Sequence, residues 1–416
     1  MDFSNDSEIL MTFLMKDFHK FARKRSAQQQ HMFDSIILNF YKKIKESNSK
    51  IDAMWRTPRI KREMKETPHL GDIRHSELIK GVYVPEDIRR FIKRNTKGII
   101  SYKGSILGRE MTIKLYLTSD RQFNELAKID LIAKRMFVWL YFIIPYTNTN
   151  CSRTLTAHCY LCPHKKELPQ AQFTVLGPSH VNGGVTTACP TNGEICIYRE
   201  EELFKVFIHE TFHAFGLDWS NMISSELRGK LKALFPISSS MDVSETYTEF
   251  WATIFNCLFT AFYLRDNYNN KENFLLYAEY CIYFEQIFSL FQCVKILQFM
   301  GIYYKTLFEM DDISIKARKF LYKEKSNIFA YYILKMVLLM HADQFITWCI
   351  KHNSNILNFK KTNGNLNKFY EFIKQHYDTR PLLQDLDKMH QIVKRGKKYN
   401  RKVVPKSLRM TVIEVV

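Results

Sequence analysis

The chain contains little glycine and proline, with 14 and 11 residues respectively among 416. These residues interrupt helices and strands, so their scarcity indicates long packed elements joined by few tight turns. Apolar residues amount to 46% of the chain, including 32 Phe and 22 Tyr. An apolar content of that size can offset the entropy of folding, which excludes a chain that is disordered throughout.

Long apolar runs are absent as well. Two candidates, at residues 136–145 and 250–264, fall short of the ~18 residues that a membrane-spanning helix requires. Residues 1–6 are acidic where a secretory signal would be basic. Cysteine occurs nine times, an odd number that does not suit a disulfide framework. We therefore expect a cytoplasmic protein with reduced thiols and no membrane partner.

Acidic residues are too few to balance the basic ones, and the formal net charge is +19. One basic patch lies within residues 56–65. A sharper patch consists of Lys394, Arg395, Lys397, Lys398, Arg401 and Lys402. Such an excess attracts nucleic acid, but no nucleic-acid-binding motif accompanies either patch. We favour solvated faces and a flexible basic tail, with nucleic acid as a weakly supported partner.

Hydrophobic periodicity divides the chain into four regions: helical and charged residues 1–97, sheet-containing residues 98–240, helical residues 241–392 and the basic tail 393–416. Strands are predicted at residues 111–117, 137–144, 155–161 and 193–199. Helices are predicted at residues 7–48, 120–136, 200–215, 243–264, 273–299, 327–350 and 365–378. This order predicts an α+β fold, with a small twisted sheet packed on one motif helix and a mostly helical second half.

The most informative segment is H-E-T-F-H at residues 209–213. Helix positions four apart face the same way, so His209 and His213 can present both imidazoles to one ion. Glu210 is displaced round the helix, where it could accept a proton from water beside that ion. This H-E-x-x-H arrangement is typical of zinc sites that activate water for hydrolysis. We predict one catalytic Zn²⁺ bound by the two histidines, with Glu210 as the general base.

A third protein ligand is expected, because catalytic zinc usually takes three and leaves one position open. Glu245 and Glu249 lie four residues apart in an otherwise aromatic helix. Like charges at that spacing repel, and carboxylates in apolar company need a cation or a donor. Glu245 as ligand, with Glu249 accepting the outer N–H of a ligand histidine, resolves both problems. The alternative is that both glutamates face solvent.

These residues resemble the gluzincin branch of the zincin metallopeptidases. In that branch the third ligand is a Glu on the helix after the motif helix, and an acid four residues later, usually Asp, supports a ligand histidine. Here Glu249 replaces that Asp, which leaves open which glutamate binds metal. Residues 110–350, including segments 181–186, 195–201 and 244–249, also resemble uncharacterised zinc metallopeptidases of large cytoplasmic DNA viruses. That resemblance implies a viral protein of the host cytoplasm or the virion.

A rival assignment within the zincins is the metzincin extension H-E-x-x-H-x-x-G-x-x-H. Gly216 suits it, but the position of the third histidine is Trp219, which cannot bind a metal. Asp218 could serve as third ligand instead, and Met241 could form the methionine turn. Asp218 is equally suited to accept a hydrogen bond from His209 or His213, which is the role we favour.

Substrate contacts and a second metal site are less clearly marked. Residues 182–187 could form an edge strand that pairs with an extended peptide. A Tyr or His should stabilise the oxyanion, and the candidates are Tyr247, Tyr303, Tyr304 and His341. A structural zinc at Cys159 and Cys162 is disfavoured, because the chain has no second C-x-x-C pair.

The sequence as a whole predicts a zinc-dependent metallopeptidase that acts on a peptide or protein substrate. The alternative is a catalytically inactive zincin-fold protein of a large DNA virus, with a binding or structural role.

Overall fold

The computed structural model describes residues 3–21, 25–66, 75–264 and 270–415. The α-helices are α1 Asn5–Met15, α2 Ala27–Arg56, α3 Glu86–Asn95, α4 Asp120–Asn124, α5 Leu126–Ile143, α6 Pro178–Val181, α7 Leu203–Ala214, α8 Ser225–Leu234, α9 Ser244–Tyr263, α10 Lys271–Phe299, α11 Asp312–Leu321, α12 Lys335–Met340, α13 Ala342–His352, α14 Asn363–His376, α15 Arg380–Lys397 and α16 Val403–Lys406. A π-helix, Phe329–Leu334, runs directly into α12. The strands are β1 Lys61–Glu66, β2 Gly98–Ile106, β3 Arg109–Leu117, β4 Thr154–Tyr160, β5 Gly184–Thr186 and β6 Asn192–Ile197.

These strands form one mixed sheet in the order β1-β2-β3-β4-β6-β5. β2 and β3 form an antiparallel hairpin that turns at Leu107 and Gly108, both with positive φ. β4 is parallel to β3 and to β6, and β5 closes one edge by pairing antiparallel with β6. The strands predicted from alternating hydrophobicity are confirmed in β3, β4 and β6. The structure is α+β with a helical second half, as expected.

The strand predicted at residues 137–144 is wrong, because this stretch continues helix α5. Residues 136–140 are all buried, so the helix is apolar on every side and shows no helical period. The charged strand β1 was not predicted. It occupies the edge beside β2, and its side chains are largely exposed, so it lacks the alternation that marks a half-buried strand.

The sheet lies between a large helical body and a small helical layer. The main buried cluster extends from Leu10 to Ile413 and draws residues from all four regions distinguished in the sequence. On the opposite face, Ile88 and Ile92 of α3 pack with Tyr116 and Tyr160 of the sheet. The motif helix α7 contacts β5 and β6 on one side and α5 and α9 on others. This position places α7 at the centre of the molecule.

The end of the chain is not a free tail. Leu408, Val412 and Ile413 are fully buried, so the expected flexibility is wrong for this stretch. Within the basic patch, the Arg395 guanidinium forms an ion pair with Asp17. Basic composition suggested a solvated tail, but the patch precedes an apolar segment that enters the core.

Cys151 and Cys189 form a disulfide, so the expectation of reduced thiols is wrong for this pair. The other seven cysteines are free and buried. Within the described ranges no single helix has the length and apolar character to cross a membrane; only the bent combination of Phe329–Met340 and Ala342–His352 passes that test, as a pair.

Candidate metal centre and cleft

Helix α7 begins and ends at residues with left-handed backbone. Glu202, immediately before the helix, has φ 60°, and Gly216, just beyond it, has φ 64°. The amide of Gly216 donates to His213 O at 2.9 Å, and that of Leu217 donates to Phe212 O at 2.9 Å. Glycine takes this conformation without a steric cost, as expected for a helix stop at Gly216. All 12 residues of α7 are buried, which holds its side chains in fixed positions.

Three side-chain atoms converge between α7 and α9. His209 Nε2 lies 3.2 Å from His213 Nε2, and Glu245 Oε2 lies 3.0 Å from the first and 3.4 Å from the second. We call these atoms the metal-facing trio. The two histidines meet because they are one helical turn apart, and Glu245 reaches them from the first turn of α9.

The other ring nitrogen of each histidine faces a carboxylate. His209 Nδ1 lies 2.8 Å from Glu249 Oε2. His213 Nδ1 forms an ion pair with Asp218 Oδ2. When Nδ1 of each histidine carries the proton and donates it in a hydrogen bond to the carboxylate, Nε2 keeps a lone pair that points into the metal-facing trio. Glu249 and Asp218 therefore lie outside the trio, each against one histidine.

The trio consists of acceptors that face one another. Glu245 Oε2 is buried and lacks a hydrogen-bond partner among the described residues. With the histidines neutral, nothing in the trio supplies a positive charge or a proton, and such a group is costly unless a cation joins it. In the described part of the chain, His209, His213 and Glu245 are the one group whose ligand atoms, all within 4.8 Å of one another, could hold a metal ion. Two imidazoles and a carboxylate suit zinc.

The electrostatics of the site favour a cation there. Burial opposes the charged form of His213, yet Asp218 and Glu245 raise its pKa well above the ordinary value. Burial alone would raise the pKa of Glu245, but the two histidines lower it below the ordinary value. Without a metal, protons are thus drawn to the histidines, where a divalent ion could replace them.

Glu210 and the trio line one cleft of about 790 Å³. Burial raises the pKa of the Glu210 carboxyl, although the neighbouring histidines oppose this. Its carboxylate packs on Gly184 of β5, where an added Cβ would lie 2.8 Å from Glu210 Oε1. Strand β5, predicted as an edge strand at residues 182–187, forms the sheet edge beside the cleft.

The cleft wall contains none of the four predicted oxyanion residues, Tyr247, Tyr303, Tyr304 and His341. Tyr331 lines the cleft instead, with its ring centroid 6.1 Å from that of His209. It lies in the π-helix, a distortion that often occurs at functional sites. No motif in the sequence marked it, because it stands in a continuous apolar run.

The remaining sequence candidates fall outside the trio. Asp218 contacts the outer nitrogen of His213 and accepts from Ser220 Oγ at 2.7 Å and Thr248 Oγ1 at 3.0 Å, which is the geometry of a supporting acid. Trp219 is buried among aromatic rings. Cys159 and Cys162 belong to the two different buried clusters, on opposite sides of the sheet.

Comparisons of this chain with protein-family models, curated proteins and solved structures gave no match. Functional inference therefore depends on the geometry of the site.

Proposed function

We propose that the protein is a zinc-dependent peptidase. The observation that carries the proposal is the convergence of His209 Nε2, His213 Nε2 and Glu245 Oε2 in a cleft that also contains Glu210. Three protein ligands that leave a side open to a cleft are typical of catalytic zinc and not of structural zinc.

Each residue has a distinct task in this proposal. When bound, zinc supplies a Lewis acid that makes water a nucleophile at neutral pH. Glu210 accepts the proton from the attacking water and passes it to the leaving amine. Tyr331 donates a hydrogen bond to the substrate oxygen as negative charge develops there. Glu249 and Asp218 hold the two histidines in the tautomer that the metal requires.

The substrate is proposed to be an extended peptide. Strand β5 has one edge paired with β6 and lies at the margin of the sheet, where a further strand can add. Peptide backbone added there would run beside Glu210, since that carboxylate packs directly against Gly184.

We further propose that the protein acts in the cytoplasm. Seven free, buried cysteines accord with that location, whereas the Cys151–Cys189 pair requires a local oxidant. Nucleic acid is a second proposed partner, through the basic patch, although Arg395 of that patch is already paired with Asp17.

The variant Glu210→Gln tests the assigned base. We expect zinc content to be preserved and cleavage of a peptide library to fall by about 10²–10⁴-fold, the usual contribution of a general base. Zinc content is measured on the same preparations, with chelated wild-type protein as the inactive control. Wild-type protein that binds zinc but cleaves nothing would favour the inactive alternative, and full activity in Glu210→Gln would refute the assigned base.

A further inference from the structure

Glu249 is surrounded by cations that play no part in the proposed chemistry. Lys205 Nζ forms an ion pair with Glu249 Oε1, and Lys335 Nζ lies 3.7 Å from the same oxygen. Both lysines are about 2% exposed. We call them the lysine pair. Buried ammonium groups are costly, so their presence beside the acid that holds His209 requires an explanation.

Residues 407–413, the docked segment, lie against the lysine pair. Met410 Sδ is 3.8 Å from Lys205 Nζ, and Lys335 Nζ donates to Met410 O. Met410 also lines a small cavity of about 30 Å³ that it shares with His209 and Glu249. The docked segment therefore approaches Glu249 and the outer nitrogen of His209, on the side of that imidazole opposite the trio.

Residues 407 and 408 pair with the backbone of residues 166 and 167, and side chains bind most of the remaining backbone of the docked segment. Glu202 Oε1 accepts from the amides of residues 410 and 411 at 2.8 and 2.6 Å. Glu285 Oε1 accepts from the amides of residues 412 and 413 at 2.8 and 2.9 Å. Tyr332 donates its hydroxyl to Leu408 O. The segment is thus held as a bound peptide would be, in a groove built from distant parts of the chain.

One of these contacts also reaches the motif helix. Glu202 is the left-handed residue immediately before α7, and it binds Lys166 as well as the docked segment. The segment therefore contacts the residue that precedes α7, through Glu202, and is linked to Glu249 through the lysine pair.

We propose that the docked segment controls the metal affinity of the centre, with Lys335 as the positioning residue that transmits its effect. When the segment is docked, Lys335 is fixed between Met410 O and Glu249, and Glu249 is fixed against His209. When the segment leaves, water reaches the lysine pair and weakens the electrostatic attraction between these lysines and Glu249. The proposal rests on the metal site of the proposed function but not on peptidase activity.

Lys295 provides a matched control. It is a second buried lysine that binds the same stretch, since it donates to Ser407 O and to Val404 O. No ion pair joins it to Glu249 among the described residues. Lys335→Met and Lys295→Met each remove a buried lysine that donates to a backbone oxygen of the docked segment, but only the first removes a contact to Glu249.

The experiment measures metal affinity by chelator competition with Zn²⁺, and the visible spectrum of the Co²⁺-loaded protein. We expect Lys335→Met to weaken affinity about 10-fold, the lower end of the range for loss of an outer partner, because Lys335 acts on His209 through Glu249; we also expect it to shift the Co²⁺ spectrum. Lys295→Met should lower thermal stability but reduce the affinity much less than Lys335→Met, because its contact to the docked segment lies farther from Glu249. Equal affinities in the two variants would overturn the proposal, whereas a wild type that binds no metal would overturn the proposed function itself.

Hydrogen exchange provides a second measurement on the wild type, which decides the matter if Lys335→Met does not fold. Coupling between two sites is reciprocal, so Zn²⁺ should slow amide exchange at residues 410–413 if those residues raise Zn²⁺ affinity. Exchange at these amides that is the same with and without Zn²⁺ would contradict the proposal. Amides of α3, on the far side of the sheet, serve as the internal reference.

Discussion

Glu245 and Glu249 lie one turn apart on α9 and face opposite electrical surroundings. Glu245 points at the lone pairs of two histidines, and its Oε2 has no hydrogen-bond donor among the described residues. Glu249 is held by the lysine pair and by the outer nitrogen of His209. The protein supplies its own cations on one side of His209 and leaves the other side without one.

Because of this difference, Glu249 can hold His209 in a fixed position while the Glu245 side stays free to accept an ion. Burial opposes ionisation of Glu249, but Lys205, His209 and Lys335 hold its pKa well below the ordinary value, so it stays a fixed anion at any pH near neutrality. Only the Glu245 side can then respond to an added ion. Variants that change one carboxylate at a time test whether the two glutamates differ in this way.

The largest effect is expected from Glu245→Gln compared with Glu249→Gln. Loss of a direct ligand should lower Zn²⁺ affinity beyond the roughly 10–100-fold expected for an outer partner such as Glu249. Stability of the metal-free protein should show the reverse order, since Glu249→Gln leaves buried lysines unpaired at a cost of about 3–5 kcal/mol. Chelator competition and denaturant unfolding measure the two quantities. If the same variant had both the lower Zn²⁺ affinity and the lower stability without metal, the proposed difference between Glu245 and Glu249 would be wrong.

A smaller effect is expected at the second histidine. Asp218→Asn removes the charge against His213 Nδ1 and should weaken Zn²⁺ binding about 10–100-fold. Asp242→Asn is the control, because Asp242 lines the same cleft but accepts from Ser244 Oγ and contacts neither histidine. Zinc titrations of both variants give the comparison. If Asp242→Asn loses as much affinity as Asp218→Asn, total negative charge matters more than the individual contact.

The smallest effect concerns Glu324, a fourth carboxylate of the cleft, which is held by neutral donors. Glu324 accepts from Tyr322 OH at 2.9 Å and from Phe329 N at 2.8 Å, and burial raises its pKa to about 7. The folded protein then binds this proton more tightly than the unfolded chain. Stability from this group is complete below pH 4.5, the ordinary value, and is lost as the pH rises through about 7, by at most about 3 kcal/mol.

Glu324→Gln should therefore reduce the fall in thermal midpoint between pH 5 and pH 8. The control is Glu309→Gln, which makes the same chemical change at an exposed residue. An unchanged profile in Glu324→Gln would show that neutral donors hold this carboxylate ionised, as the lysines hold Glu249.

The trio was accessible from sequence because helical spacing alone brings His209 and His213 together. Glu245 followed from charge, since two acids in an aromatic helix need a cation. The sequence predicted Glu245 as the ligand and Glu249 as the outer acid, but it left open which of the two binds metal. The structure makes the geometric distinction by placing them on different nitrogens of one imidazole.

The outer layer of the centre could not be predicted in this way. Lys205 and Lys335 resemble surface lysines in a basic chain, and nothing local shows that they are buried. Met410 lies some 200 positions from the motif and follows a patch typical of a solvated tail. Such contacts depend on non-local packing, which periodicity does not encode.

Gly184 has no side chain, and this also bears on which peptides could bind at the sheet edge. A methyl group there would collide with the carboxylate of Glu210, so this strand and the motif helix approach more closely than other residues would permit. A polypeptide laid along the outer edge would lie one strand spacing away, ~4.8 Å, with successive side chains pointing to opposite faces. Only every second side chain of the bound peptide would then face the protein. The protein could therefore select for side chains at alternate positions of the peptide and not at every position.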